Sequence, residues 1–337
     1  MSMATLSAGQ KMPAIKNFLK RWEVILFIIF ILLNVVNSHI SPFYLSRDGL
    51  MDAALSFLDK SFIVFPMAMI ILIGEIDISV AATIALSSVI MGISYNAGQG
   101  VPMVAAMGIC LLVATSCGAI NGLLLTKYRE LSPMIVTLAT ATMYRGLAYV
   151  LLEDRAAGKF PDWFNYFGWE SVDLPFIGPL PFMLICFILC ALFFLFLMNK
   201  TTFGRRLYAI GNNRLACTYS GIKVERYRFF VYTLAGFMSG ITAIFLTSRM
   251  SSTRPNIAMG YELDIIAMVV LGGISTSGGK GNLSGALVAI FIIGLLKYGM
   301  GLQNFDAQFL MIVIGLLLVF SVMLPNLFSA KRKVAKK

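Results

Sequence analysis

Apolar residues come in stretches of about 20, each closed by a short polar or glycine-rich break, and the pattern repeats from residue 23 to residue 324. A helix rising 1.5 Å per residue needs about 20 residues to cross roughly 30 Å of hydrocarbon. The pattern therefore predicts spans near 23–40, 57–74, 78–95, 101–126, 132–152, 174–198, 229–248, 263–276, 283–303 and 308–324. The second and eighth are short or carry polar residues, which makes each a candidate broken or re-entrant helix. None of the segments alternates residue by residue as a membrane β-barrel strand does. The expected fold is all-α: a polytopic transmembrane helical bundle of about ten spans, one domain over 23–324, with flanks at 1–22 and 325–337.

Composition agrees with that class. Of the 337 residues 58% are hydrophobic and 13% charged, where soluble domains carry about a quarter charged residues. The net charge of +11 raises nucleic acid as a partner, but its placement points to a lipid bilayer instead. Lys and Arg gather at Lys11 to Arg21, at Lys127 and Arg129, from Lys200 to Arg228, and in the tail from Lys331. With ten crossings all four groups fall on one side, which the positive-inside rule makes the cytoplasm. Acidic residues, among them Asp48, Asp52, Asp59, Asp162, Glu262, Asp264 and Asp306, fall on the other. An even span count with both termini cytoplasmic is expected. The first apolar run has no small-residue cleavage site after Val36, so it reads as an uncleaved span. The five cysteines read as small packing residues, and a single histidine, His39, excludes a histidine-based metal cluster.

One motif imitates a nucleotide site. LGGISTSGGKGN, residues 271–282, has the glycines and lysine of a phosphate-binding loop, yet Gly279 stands where the lysine belongs and Gly281 follows Lys280 in place of a hydroxyl. The loop reads as a turn between helices. It also echoes an earlier stretch: GEIDISVAATIAL at 74–86 aligns with GKGNLSGALVAIF at 279–291. Each sets glycine, a short polar residue and serine ahead of a helix rich in small residues. Asp77 or Ser79 in one, and Asn282 or Ser284 in the other, are placed to accept from free N–H groups at a helix start.

Glu75 and Asp77 lie between apolar runs and read as coupling carboxylates or, more simply, as a helix cap and an interhelical tie. Arg145 and Lys297 fall inside spans near their ends, where snorkelling to the interface explains each. No carboxylate is expected mid-span, which argues against an ion-coupled carrier. FPDWFNYFGWE, 160–170, holds six aromatic residues and reads as an interfacial belt, with sugar stacking the alternative. The polar segment 199–228 is long, basic and punctuated by Gly204, Gly211 and Gly221, with short amphipathic helices expected at 207–210 and 215–220. It reads as a folded docking element for a cytoplasmic partner.

The chain resembles the permease subunits of ribose-type ATP-binding-cassette importers. Four passages carry the resemblance: GEIDISVAA at 74–82, NGLLLTKYRELSPMIVTLATATMYRGLA at 121–148, TTFGRRLYAIGNN with SGI at 201–213 and 220–222, and GYELDIIAMVVLGGISTSGGKGNLSG at 260–285. It departs from the family's pattern at Glu75 and Ala81, where glycines are usual, and at Ala216 and Cys217, where two alanines are usual. The resemblance implies a non-enzymatic transport subunit of the bacterial inner membrane. A separate ATPase subunit holds ATP and Mg, a second permease copy or paralogue completes the pathway, and an extracytoplasmic binding protein delivers a sugar. A furanosyl quorum signal or a nucleoside is the alternative substrate. A carrier or channel working alone is the alternative class. It further implies ATPase docking through Thr202, Gly204, Arg205, Arg206, Ala209, Gly211, Asn212 and Gly221. The helix-break and pathway candidates are Glu75, Asp77, Ser79, Asn121, Thr137, Arg145, Gly272, Gly273 and Asn282.

Overall fold

The structure, a computed structural model, describes residues 22–175, 178–306, 308–317, 319, 320 and 323. Residues 1–21 of the flank expected at 1–22, and the whole flank expected at 325–337, lie outside the described residues, and with them the placement of both termini. Among the described residues seven helices are long and apolar enough to cross a membrane. They are α2 (Arg47–Leu72), α3 (Val80–Tyr95), α4 (Met103–Lys127), α5 (Pro133–Leu152), α7 (Phe182–Lys200), α10 (Val224–Met250) and α12 (Leu283–Leu302). α1 (Trp22–Ile40), α11 (Tyr261–Leu271) and α13 (Gln308–Leu317) are further apolar helices. Three short helices, α6 (Asp162–Phe167), α8 (Thr202–Asn212) and α9 (Arg214–Tyr219), lie in the connections.

Three expected spans take a different form. The second is not short: α2 starts ten residues earlier than the apolar run, because Ser46 caps its first turn by accepting from Gly49 N. The cap lets the polar stretch Arg47 to Ser56 continue the helix to 26 residues. The sixth begins late. β1 (Ser171–Leu174) pairs antiparallel with β2 (Gly178–Pro181), since Pro175, Gly178, Pro179 and Pro181 oppose a helix until Phe182. The eighth is a half-helix. α11 ends at Leu271, where Gly272 and Gly273 turn the chain, and its 11 residues reach only about 16 Å.

α2 is the centre of the bundle, buried from Phe57 to Leu72, and touches α7, α10, α11 and α12. α10 packs along α4 over the longest interface. Small residues set that approach: Gly118 on α4 faces Gly236 on α10, with a Cβ on Gly236 falling 2.8 Å from Gly118 Cα, while Gly122 lies against Phe229 and Gly240 against Ala114 and Leu111. Membrane helices associate in this way because close backbone packing replaces the missing hydrophobic drive between helices. The outward faces of α5 and α7 expose Ile135, Leu138, Val150, Leu189, Leu192 and Phe196, as surfaces against lipid tails do.

Candidate functional site at the two helix interruptions

The segments between α2 and α3 (73–79) and between α11 and α12 (272–282) meet at one end of the bundle, beneath α8 and α9. Gly279 N donates to Leu72 O at 2.7 Å, joining the first helix's end to the second interruption. A Cβ on Gly211 of α8 would sit 2.5 Å from Gly279 N and closer still to Leu72 O, and one on Gly278 would meet Gly211 O, Gly74 N and Leu72 O at about 3 Å. The loop that imitates a phosphate site is thus a turn whose glycines admit three other pieces of backbone. Tyr208 of α8 donates to Gly281 O at 3.1 Å, and its burial raises the phenol above its ordinary pKa.

α8 and α9 are too short to be stable alone. Thr201 caps α8 through Phe203 N and Gly204 N, and Asn213 caps α9 through Ala216 N. Ile210, Cys217 and Val224 make a small core with Ile73, worth about 3–6 kcal/mol for the buried side chains of Ile210 and Val224. The expectation that glycines would break the helices is corrected: Gly204 and Gly211 lie inside α8, and Asn213 divides α8 from α9. Gly204 is buried and Gly211 half-buried, whereas Thr202, Arg205, Arg206, Ala209, Asn212 and Gly221 are exposed. Gly221, at φ +82°, follows α9 with nothing near it. Arg206 donates to Tyr227 OH at 2.5 Å.

The first interruption is organised by two carboxylates. Asp77 accepts from Ser79 N at 2.8 Å and Ser79 Oγ at 2.6 Å, and Asn121 of α4 donates to Ser79 Oγ at 2.7 Å. Tyr144 of α5 donates to Asn121 Oδ1 at 3.3 Å, while Thr137 of α5 accepts from Ile78 N at 3.2 Å. Asp77, Ser79, Asn121 and Thr137 are brought together and buried, so the start of α3 is tied to α4 and α5. Glu75 points the other way. Arg228 Nε lies 2.7 and 2.9 Å from its two oxygens, Arg214 Nη1 lies 3.2 Å away, and Tyr232 OH donates at 3.0 Å. In the second interruption Gly272 is packed against Gly285 and Ala286, Gly273 against Trp22, and Asn282 accepts from Ser284 N.

Residues 50–322 match the family described as branched-chain amino acid transport system / permease component. The ribose import permease protein RbsC of Bacillus subtilis (strain 168) is 36% identical over 305 residues, 90% of this chain and 92% of its own length. RbsC of Haemophilus influenzae is 31% identical over 307 residues, 91% and 94% of the two chains. The autoinducer 2 import system permease protein LsrD of Salmonella typhimurium is likewise 31% identical over 307 residues, 89% and 90%. The chain belongs to this permease family. No solved structure matches it. With seven span-capable helices, the permease is a multi-pass protein of the bacterial cytoplasmic membrane.

Away from the two interruptions the permease holds what the sequence did not reveal. Asp59, expected outside the membrane, lies at the middle of α2, and Asp264 lies one turn into α11. This corrects the expectation of no mid-span carboxylate. Both are ion-paired: Arg249 Nη2 lies 2.7 Å from Asp59, and Asp264 takes Lys60 at 2.8 Å and Lys297 at 2.5 Å. Lys297 therefore does not snorkel; it turns inward to Asp264. Arg145 donates to Pro255 O at 2.6 Å and Ile257 O at 2.8 Å, holding the 251–260 connection and not the first-interruption network. Beside that connection lies a cavity of about 510 Å³ lined by Met250, Ser252, Arg254, Asn256 and Tyr261. The aromatic stretch divides in two. Phe160 and Phe164 are buried and Phe167 stacks on Phe245, while Trp163, Tyr166 and Trp169 face outward.

The adjacent pair Asp59-Lys60 inside an apolar context was the one available signal for this charge cluster. Nothing local names its partners, which lie about 200 residues away.

Proposed function

We propose that the chain is the pathway-forming subunit of an ATP-driven importer for a ribose-like sugar. In this reading α8 and α9 form the seat for a separate ATPase subunit, which alone holds ATP and Mg. The basic end faces the cytoplasm, α1, α11 and α13 join the seven longer helices in a bundle of about ten membrane segments, and both termini are cytoplasmic. A second permease copy or paralogue completes the pathway. An extracytoplasmic binding protein delivers substrate to the far end, where the cavity beside Tyr261 offers an aromatic face with Ser252, Arg254 and Asn256 around it. Nucleotide binding favours one conformation of the pair, and alternation follows from that differential affinity.

The observation that carries the reading is the outer face of α9. Leu215 and Tyr219, one helical turn apart, are 71% and 90% exposed, on a segment whose opposite face is seated on both interruptions. An apolar pair held out on a rigid base at the basic end is a surface built to be covered. The test is Leu215→Asp with Tyr219→Asp, followed by co-purification with the importer's ATPase. The expected result is lost ATPase association with a monodisperse, membrane-inserted permease. Full retention of the ATPase overturns the docking assignment. A carrier working alone predicts uptake into vesicles without ATP, whereas the carboxylates of Asp59 and Asp264 are each paired with cations.

A further inference from the structure

Glu75 occupies a position that neither docking nor helix capping explains. It is 6% exposed, in a connection, and its carboxylate is shared by two arginines of different character. Arg228, at the start of α10, is 2% exposed in its side chain and also donates to Leu125 O at the end of α4, so it is fixed from two sides. Arg214, the first residue of α9, is 41% exposed in its side chain and reaches out from the element whose outer face carries Leu215 and Tyr219. Its second nitrogen lies 3.1 Å from Glu225 on α10. Glu75 thus has one buried partner on a transmembrane helix and one half-exposed partner on the short surface helix. Two residues further on, Asp77 begins the hydrogen-bonded network that fastens α3 to α4 and α5.

We propose that Glu75 is a positioning residue for transport: it links α9 to the α2–α3 interruption, so that a displacement of α9 reaches the start of α3 through Arg214. The inference rests on the docking reading given above. Arg228 is the anchored end of the link and Arg214 the end that travels. The apolar contacts of Ile210 and Cys217 keep α9 seated but are non-directional, whereas a charge-assisted hydrogen bond fixes direction as well as distance.

Glu75→Gln leaves buried Arg228 with only the more distant carboxylate of Glu225, at 3.8 Å, and risks misfolding, so the decisive variant is Arg214→Gln, after which Glu75 keeps Arg228 and Tyr232. Permease, ATPase and binding protein are purified together, reconstituted in vesicles, and assayed for ribose taken up per ATP hydrolysed. Arg214→Gln is expected to retain the ATPase while uptake per ATP falls by about 2- to 30-fold, the range found along coupling routes. Arg214→Lys is expected to recover part of that ratio. If Glu75→Gln folds, adding it to Arg214→Gln produces no further fall, since both remove one link. A wild-type uptake ratio in Arg214→Gln overturns the inference, as does full additivity of the two variants. Loss of the ATPase from Arg214→Gln also overturns it, because Arg214 is then an interface contact. If the unmodified chain does not retain the ATPase, the docking reading fails, and that outcome is distinct from each of the others.

Discussion

The buried ion cluster within the bundle gives the most quantitative prediction. Asp264 is 3% exposed and is held by Lys60, itself 4% exposed, and by Lys297. Asp264→Asn preserves shape and one hydrogen-bond acceptor but leaves two ammonium groups facing each other without an anion between them. Removing one partner of a buried pair costs about 3–5 kcal/mol. An unfolding entropy of about 2.1 cal/mol/K per residue amounts to about 0.7 kcal/mol/K for 337 residues, so the loss corresponds to a fall in Tm of about 4–7 °C. Helices that persist in the denatured state in detergent reduce that entropy and enlarge the shift. Tryptophan fluorescence during thermal unfolding in detergent is the assay. The companion is Lys60→Met with Asp264→Leu and Lys297→Met, which removes all three charges at once. Because desolvation offsets much of the Coulombic gain, the apolar trio is expected to melt at or above the wild-type temperature. The reasoning is refuted if Asp264→Asn melts within about 1 °C of wild type, or if the apolar trio is the less stable of the two.

Two further outcomes follow from the basic end. Gly211→Ala forces a Cβ onto Leu72 O and Gly279 N and is expected to cost about 3 kcal/mol or more, whereas Gly221→Ala meets nothing and pays only the left-handed backbone strain of about 1–2 kcal/mol; equal Tm losses would contradict the packing described. Asn121→Ala strips Ser79 Oγ and Tyr144 OH of a buried partner and is expected to lower stability by about 1–3 kcal/mol, read as faster proteolysis between α2 and α3; unchanged proteolysis would count against the network as a fastener.

Much of the architecture was legible because hydrocarbon thickness imposes its length on apolar runs. α3, α4, α5 and α12 appear within a few residues of where their runs begin and end. α2 was legible only in its second half, since Arg47 to Ser56 is polar enough to pass for a connection until the Ser46 cap is seen. The half-helix α11 was signalled by Gly272 and Gly273, and the strand pair before α7 by its prolines. Folded helices in the basic segment were expected from its length and apolar face. Which of its glycines seat the segment was not, because Gly211 owes its role to Leu72 and Gly279, each well separated in sequence. The charge cluster was hidden for the same reason: Lys60 and Asp264 become partners only after α2 and α11 pack together.

The close crossing of α4 and α10 has a mechanical consequence. Where Gly118 and Gly236 meet, main chain rests on main chain, and no rotamer change at that point is available to let one helix slip past the other. The pair behaves as a single stiff rod. Its 27-residue member starts at Val224, beside Glu225 and Arg228, and ends at Met250 on the cavity wall, about 40 Å away. A tilt imposed on so stiff a pair at one extremity is therefore carried along its length to the other, as a rod transmits a push.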